Sequence, residues 1–399
     1  MKRAEADYHS WREMIVEAGG ATVRAATKPG VAASGDIDPA ISLLTAEVEL
    51  ARGENALIMN GGGGGGILAS LLARHAGRIW MSDRNVVAFE ATRRTLLLNG
   101  ISNATASLTH GTVGFPKDLQ AQVAVIRIPH EKLPLLQLMG DAFAAISLGG
   151  RCYIGGATTE GIKSAARLLE KLFGNAEVLV TKSGHRVALA RKETSEHGML
   201  EELSSPYLSG DAFNLLRVTL RDEPYELYTR PGIFSWEHLD EATEMLARAM
   251  EIRRGDSVLD LGCGAGALGL VAGKLSNGAP VTMLDADVEA VRSAQRSAEA
   301  ARLPNARVLA SDIAEAVRGE LFDVVVTNPP FHIGKATDLD LPLQFIRDSH
   351  EVLHPDGRLY LVANRTLPYE RAIEREFGSV ELIQDGRRFK VLSATKRLL

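Results

Sequence analysis

Ser257-Val258-Leu259-Asp260-Leu261-Gly262-Cys263-Gly264-Ala265-Gly266 decides the fold. Its first half is an apolar run of strand length, and its second half is a glycine turn leading into a helical stretch from Ala267. Glycines let the backbone turn tightly and approach a ligand with no Cβ in the way. The helix behind them offers unpaired N–H groups and a positive dipole end. Dinucleotide folds use a similar turn for pyrophosphate, so the glycines alone leave the ligand open. Asp260 narrows the choice. A carboxylate directly before the glycines repels a pyrophosphate and suits a ligand that carries an ammonium group.

Three further strand-like runs follow, each ending on a polar residue. Residues 281–284 lead to Asp285, at the distance from the glycine turn where an acid accepts from ribose hydroxyls. Residues 306–310 lead to Asp312, which can accept from an adenine amine. Either acid, taken singly, reads equally well as a helix cap. The run 322–326 ends in Thr327-Asn328-Pro329-Pro330-Phe331-His332. Two prolines cannot continue a ladder, so the chain must turn and leave Asn328 at the carboxyl end of its strand. Open α/β sheets place their ligands there. The Asn328 side-chain oxygen can accept from the amine of a planar group, the carbonyl of Pro329 can accept its second proton, and Phe331 can stack on the ring. Four successive strand ends thus surround one ligand with a cation, a ribose and an adenine, and add a pocket for an aromatic amine.

The same order recurs upstream. Residues 56–65, with six consecutive glycines (61–66), align with 257–266 at an offset of 201. The strand ending at Asp83 matches the one ending at Asp285, and 122–127 matches 323–328. A register held across so many elements indicates a duplicated domain. Strand and helix alternate in both halves, which predicts two tandem doubly wound α/β domains. The expected division is 1–195, a connector at 196–230 holding a short hairpin near 213–228, and 231–399. Helical patches are expected at 8–18 and 41–50. The first copy lacks what the second offers: Met59 stands at the position of Asp260, Gly111 opposite Asp312, and Arg127-Ile128-Pro129 replaces Asn328-Pro329-Pro330. It is expected to be silent.

A chain of 399 residues suits two domains, and 45% hydrophobic with 24% charged residues is the balance of a globular protein. No apolar run reaches the length of a membrane span, and the basic start has no apolar segment behind it, so neither a membrane segment nor a signal peptide is expected. Two distant cysteines make neither a metal cluster nor a disulfide framework. A cytoplasmic protein is expected, acting as a monomer. The net charge of −5 argues against indiscriminate nucleic-acid binding. The halves differ, however: residues 1–200 hold 22 Lys and Arg against 19 Asp and Glu, whereas the remainder holds 23 against 31. The first half, with Arg93, Arg94 and Arg127, is the better platform for a polyanion; a plain scaffold is the competing reading.

On these residues the second half resembles the class I S-adenosylmethionine-dependent methyltransferases, with Asn328-Pro329-Pro330-Phe331 similar to the motif of those that methylate amino or amide nitrogen. Pro231-Gly232-Ile233-Phe234-Ser235, Val362-Ala363-Asn364, Leu367-Pro368-Tyr369 and Gly386-Arg387-Arg388-Phe389-Lys390-Val391 narrow the resemblance to the ribosomal RNA guanine-N2 methyltransferases with a small-subunit (16S) target. In that family a degenerate methyltransferase-like domain precedes an active copy. The match is close from Pro231 onward and loose before it. The resemblance implies two Rossmann-like class I domains and S-adenosyl-L-methionine as cofactor. It implies a cofactor pocket lined by Asp260, Gly262, Cys263, Gly264, Gly266, Asp285, Ala286, Asp312, Ile313 and Asn328, with Phe234 covering it. It also implies that Asn328 and Pro329 orient the guanine amine and Phe331 stacks. Ribosomal RNA or a ribosomal subunit is the implied partner, and no metal is implied. Cys263 needs no chemistry of its own, His332 is structural or a phosphate contact, and 386–390 is either a basic rim or a strand edge. A 23S target, or another amino group such as adenine N6, is the alternative within the class; a nicotinamide dehydrogenase would explain the glycine turn but not Asn328-Pro329-Pro330.

Overall fold

Val258, Leu259 and Leu261 are apolar and wholly buried, as a central strand covered on both faces requires. In the computed structural model, which describes residues 8–31, 36–198, 201–330 and 340–397, this strand is an interior one, third in the order of a seven-stranded sheet. The contacts divide the chain into two units, residues 1–212 and 213–399.

The strands of the first unit are β1 (Arg12–Ala18), β2 (Ala21–Thr27), β3 (Ala56–Met59), β4 (Ile79–Asp83), β5 (Ala104–Leu108), β6 (Ala121–Arg127), β7 (Ile146–Ala157), β8 (Glu177–Lys182) and β9 (His185–Arg191). Those of the second are β10 (Asn214–Leu220), β11 (Glu223–Thr229), β12 (Val258–Leu261), β13 (Val281–Asp285), β14 (Ala306–Ala310), β15 (Phe322–Thr327), β16 (Leu353–Asn364), β17 (Glu381–Asp385) and β18 (Phe389–Thr395). The first sheet runs β5-β4-β3-β6-β7-β9-β8 and the second β14-β13-β12-β15-β16-β18-β17, the same path twice. In each, six strands run in one direction and the penultimate one in the order is antiparallel to its neighbours. The reversal of strand order between β12 and β15 makes the switch point where α/β sheets bind ligands.

Each sheet is preceded by a two-stranded antiparallel hairpin, β1–β2 and β10–β11. The first replaces the expected helix at 8–18. Gly19 and Gly20, both at positive φ, turn the chain back as a two-residue hairpin loop requires. Val16 is the one fully buried residue of β1, too weak an alternation to mark a strand. The second hairpin falls where expected, but it is no part of a separate connector: the Tyr228 N–H donates to Ser297 Oγ at 2.9 Å, within the helix Val288–Ala300 of the second unit. Residues 196–212 remain with the first unit, and 213–230 join the second.

Candidate active site

Parallel pairing sets the level of every site residue in the second unit. Leu261 pairs with Leu284 on one side and Thr327 on the other, so Gly262, Asp285 and Asn328 leave three adjacent strand ends side by side. Asp285 pairs in turn with Ala310, which puts Asp312 just past the end of the next strand. Thr327 Oγ1 donates to the Leu261 carbonyl at 2.7 Å and ties the central pair. The strand ends expected to share a site therefore lie next to one another.

The glycine turn is held from both sides. The N–H groups of Gly262 and Cys263 both donate to the Leu284 carbonyl at 2.9 Å, and the Gly264 N–H donates to Asp285 Oδ2 at 2.9 Å. Asp285 Oδ1 accepts from the Asp287 N–H, and Asp287, not Asp285, caps the helix Val288–Ala300. Gly264 sits at φ +54 with nothing within 4 Å of where a Cβ would stand, an open side against which a ligand can lie. Gly266, at φ +87, is enclosed by Ala294 and Met283, so its lack of a side chain serves packing.

Asp260 is fully buried. Its Oδ2 accepts from the Gly269 N–H at 2.8 Å, in the first turn of the helix Ala267–Leu275, a structural partner that sequence spacing did not reveal. Its Oδ1 is buried with no hydrogen-bond partner among the described residues. Burial pushes this carboxyl up to about 7, and the nearby charge of Asp285 adds to the rise. A buried, half-satisfied acid beside an open glycine turn fits the cationic end of S-adenosylmethionine, which would supply the missing partner. The Cys263 thiol is driven well above its ordinary range by burial and by Asp285 and Asp260, which removes it as a nucleophile. Ala286 is half-buried beside Asp285, and Asp312 and Ile313 are buried, with Ile313 at φ +50. Phe234 is 62% exposed. It lies on the loop that leaves the buried Arg230–Glu289 ion pair and ends at Asp240.

Asn328 and Pro329 close the site. Pro329 is buried, and Asn328 is half-buried. The Asn328 Nδ2 donates to Asp240 Oδ2 at 3.0 Å and to Thr243 Oγ1 at 2.9 Å, while its Oδ1 is buried with no partner among the described residues. Sequence reading identified Asn328 but neither Asp240 nor Thr243. Phe331 and His332 lie outside the described residues. Of the suggested basic rim, Lys390 is buried against Glu370 at 2.6 Å, whereas Arg387 and Arg388 are exposed, the latter paired with Glu241 at 3.0 Å.

The first unit keeps the frame and fills the site. Asp83 holds Gly62 and Asn85 as Asp285 holds Gly264 and Asp287. A Cβ on Gly64 would meet Ile41 at 2.8 Å, and one on Gly66 would meet Thr95 at 2.8 Å, so these glycines serve close packing of the chain on itself. The strand registers put Ile58, and not the expected Met59, at the level of Asp260: Ile58 pairs with Met81 as Asp260 pairs with Met283, and Met59 stands opposite Ser82 as Leu261 stands opposite Leu284. Arg127, at the position of Asn328, turns inward to Asp38 at 3.1 Å and Glu160 at 2.6 Å. It is a structural ion pair and not the RNA contact expected of it. Arg93 and Arg94 are both paired with Glu90.

A family model described as the methyltransferase small domain matches residues 22–189 and again 224–393. The chain is 30% identical to the ribosomal RNA small subunit methyltransferase C of Pseudomonas entomophila, over 90% of this chain and the full length of that one. It is 33% identical to the protein of that name from Hahella chejuensis, over 71% of this chain and 80% of the relative. Among solved structures, a Thermus thermophilus 16S rRNA N2-guanine methyltransferase in complex with AdoMet and guanosine superposes with a TM-score of 0.82 at 31% identity, covering 98% of this chain and 99% of that one. The sheet repeated in the two units agrees with the doubled match: the chain belongs to the ribosomal RNA small subunit methyltransferase C family, built from two methyltransferase small domains.

Proposed function

We propose that the protein transfers a methyl group from S-adenosyl-L-methionine to the exocyclic N2 of a guanine in 16S ribosomal RNA, and that the second unit alone performs the chemistry. The observation that carries this reading is the Asn328 carboxamide: both N–H groups are engaged within the protein, its buried oxygen has no partner among the described residues, and the residue follows the strand next to the one that enters the glycine turn.

When bound, the cofactor supplies a methyl group already activated on a sulfonium. The chain's own work is then placement. Asp260 and the glycine turn take the cationic end, with Asp285, Ala286, Asp312 and Ile313 on the nucleoside side and Phe234 over it. The guanine amine has a lone pair delocalised into its ring and two N–H groups to give. Asn328 Oδ1 accepts one and the Pro329 carbonyl the other, which favours the pyramidal nitrogen that gains positive charge during transfer. No strong base is needed before attack, because the proton leaves after the methyl arrives. Phe331 stacks on the base, which must be unpaired or extruded to enter the slot.

The first unit is proposed as a scaffold that helps to hold RNA through its positive balance, since the pocket beside its own glycine turn, lined by Gly61, Gly65 and Asp83, has a volume of about 10 Å³, too small for a cofactor. The protein is proposed to act as a monomer in the cytoplasm; among the described residues no helix is long and apolar enough to cross a membrane. Incubation with methyl-labelled cofactor and unmodified small ribosomal subunits, followed by mapping of the labelled base, tests the reading. Label on guanine N2 of 16S RNA is the expected result. Label only on 23S RNA, or on an adenine, would replace it with a different target.

A further inference from the structure

Asn328 is useful to a guanine amine in only one of its two orientations. An amide that meets the amine with its oxygen accepts from it; turned the other way, it meets a donor with a donor. The two ends of the group are nearly isosteric, so its neighbours must choose. Asp240 and Thr243 do so. Asp240 precedes the helix Glu241–Ala249 and caps it, its Oδ2 accepting from the Thr243 N–H at 2.8 Å and from the Thr243 hydroxyl at 3.2 Å. With the hydroxyl proton given to Asp240, Thr243 Oγ1 presents a lone pair. Carboxylate and hydroxyl oxygen then accept the two N–H groups of Asn328 at 3.0 and 2.9 Å. A swapped amide would press its oxygen on the Asp240 carboxylate, lose that bond, and keep the one to Thr243 only by drawing the hydroxyl proton away from Asp240.

We propose that Asp240 and Thr243 are positioning residues for methyl transfer: as a helix cap, they lock the Asn328 carboxamide with its oxygen toward the target amine. The inference rests on the functional reading above. A second observation supports the device. Asp38 caps the helix Pro39–Glu47 in the first unit, accepting from Ala40 N–H at 2.7 Å, and it too reaches the residue after the fourth strand's core, there Arg127. The frame delivers a carboxylate to this point in both copies, and the residue it meets determines whether an acceptor is presented.

Three variants of the full-length protein test this, read by single-turnover methyl transfer to small subunits, by the dissociation constant of S-adenosylhomocysteine and by thermal unfolding. Asp240→Ser keeps a helix cap but is too short to reach Asn328, and its rate is expected to fall by about 10- to 100-fold with cofactor affinity unchanged. Asp240→Asn retains a carboxamide oxygen for the same three donors, and is expected to recover to within about threefold of the parent. Thr243→Val removes one of the two bonds and should slow transfer by about three- to tenfold. An unchanged rate in Asp240→Ser, or a fall in Asp240→Asn as deep as in Asp240→Ser, overturns the proposal. Should Asp240→Ser fail to fold, Thr243→Val carries the test, and full-rate transfer by it is the overturning result. An inactive parent protein would instead sink the functional reading itself.

Discussion

Arg127 and Asp38 form a 3.1 Å ion pair at the two positions that Asn328 and Asp240 occupy in the second unit. The frame is shared, and the strand-end residue separates an internal strut from the proposed acceptor. Arg127 is mostly buried and also bonds Glu160 and the Ile128 carbonyl. Arg127→Ala would leave two partly buried acids without their cation, at a cost of about 2–4 kcal/mol. Chemical denaturation should show that loss, while the S-adenosylhomocysteine dissociation constant stays at the parent value.

Glycines at equivalent turns should respond differently to alanine. At Gly66 a Cβ meets Thr95 at 2.8 Å and the Thr92 carbonyl at 3.0 Å, so Gly66→Ala is expected to cost about 1–3 kcal/mol of stability and leave cofactor affinity alone. At Gly264 nothing lies in the way, but φ is +54 and the methyl would point into the open side of the turn. Gly264→Ala should cost about 1 kcal/mol in stability and weaken cofactor binding at least about tenfold. Paired denaturation and binding titrations on the two variants separate packing from recognition.

The Asp260 carboxyl, pushed up to about 7 by burial from its ordinary 3.8, is expected to couple proton and cofactor if it takes the cationic end as proposed. Between those values the cofactor-free folded protein holds a proton that the unfolded chain has released. Its contribution to stability is therefore present at low pH and declines as pH rises toward 7. A bound cation needs the ionised form. Cofactor affinity should rise with pH, by up to about tenfold per unit below 7, and level off above it. Titration calorimetry in buffers of different ionisation enthalpy should find about one proton released on binding at pH 6. Asp260→Asn should abolish both the slope and the proton release.

Much of this was readable in the chain because the cues were local. The strand that ends at Asp285, the glycine turn at 262–266 and the double proline after Asn328 each carry their own stop signal, and the 201-residue offset exposed the duplication. What escaped was set by distance in sequence. Asp240 lies 88 residues from Asn328, and their contact depends on how one helix start docks against the sheet. Arg127 looked available to RNA because Asp38 and Glu160, 89 and 33 residues away, gave no sign of enclosing it. The hairpin at 12–27 was hidden by a largely exposed first strand, although Gly19-Gly20 between two strand-like runs was the signal that could have revealed it. Asp260 as a helix partner follows from packing that no pattern of spacing encodes.

Under the proposed function the orientation of one amide bears the chemistry, and Asn328→Ala measures it. Single-turnover methyl transfer to unmodified small ribosomal subunits should fall by at least about a hundredfold, with the S-adenosylhomocysteine dissociation constant within about threefold of the parent. Transfer at the parent rate, or a loss of transfer matched by an equal loss of cofactor affinity, would contradict the account.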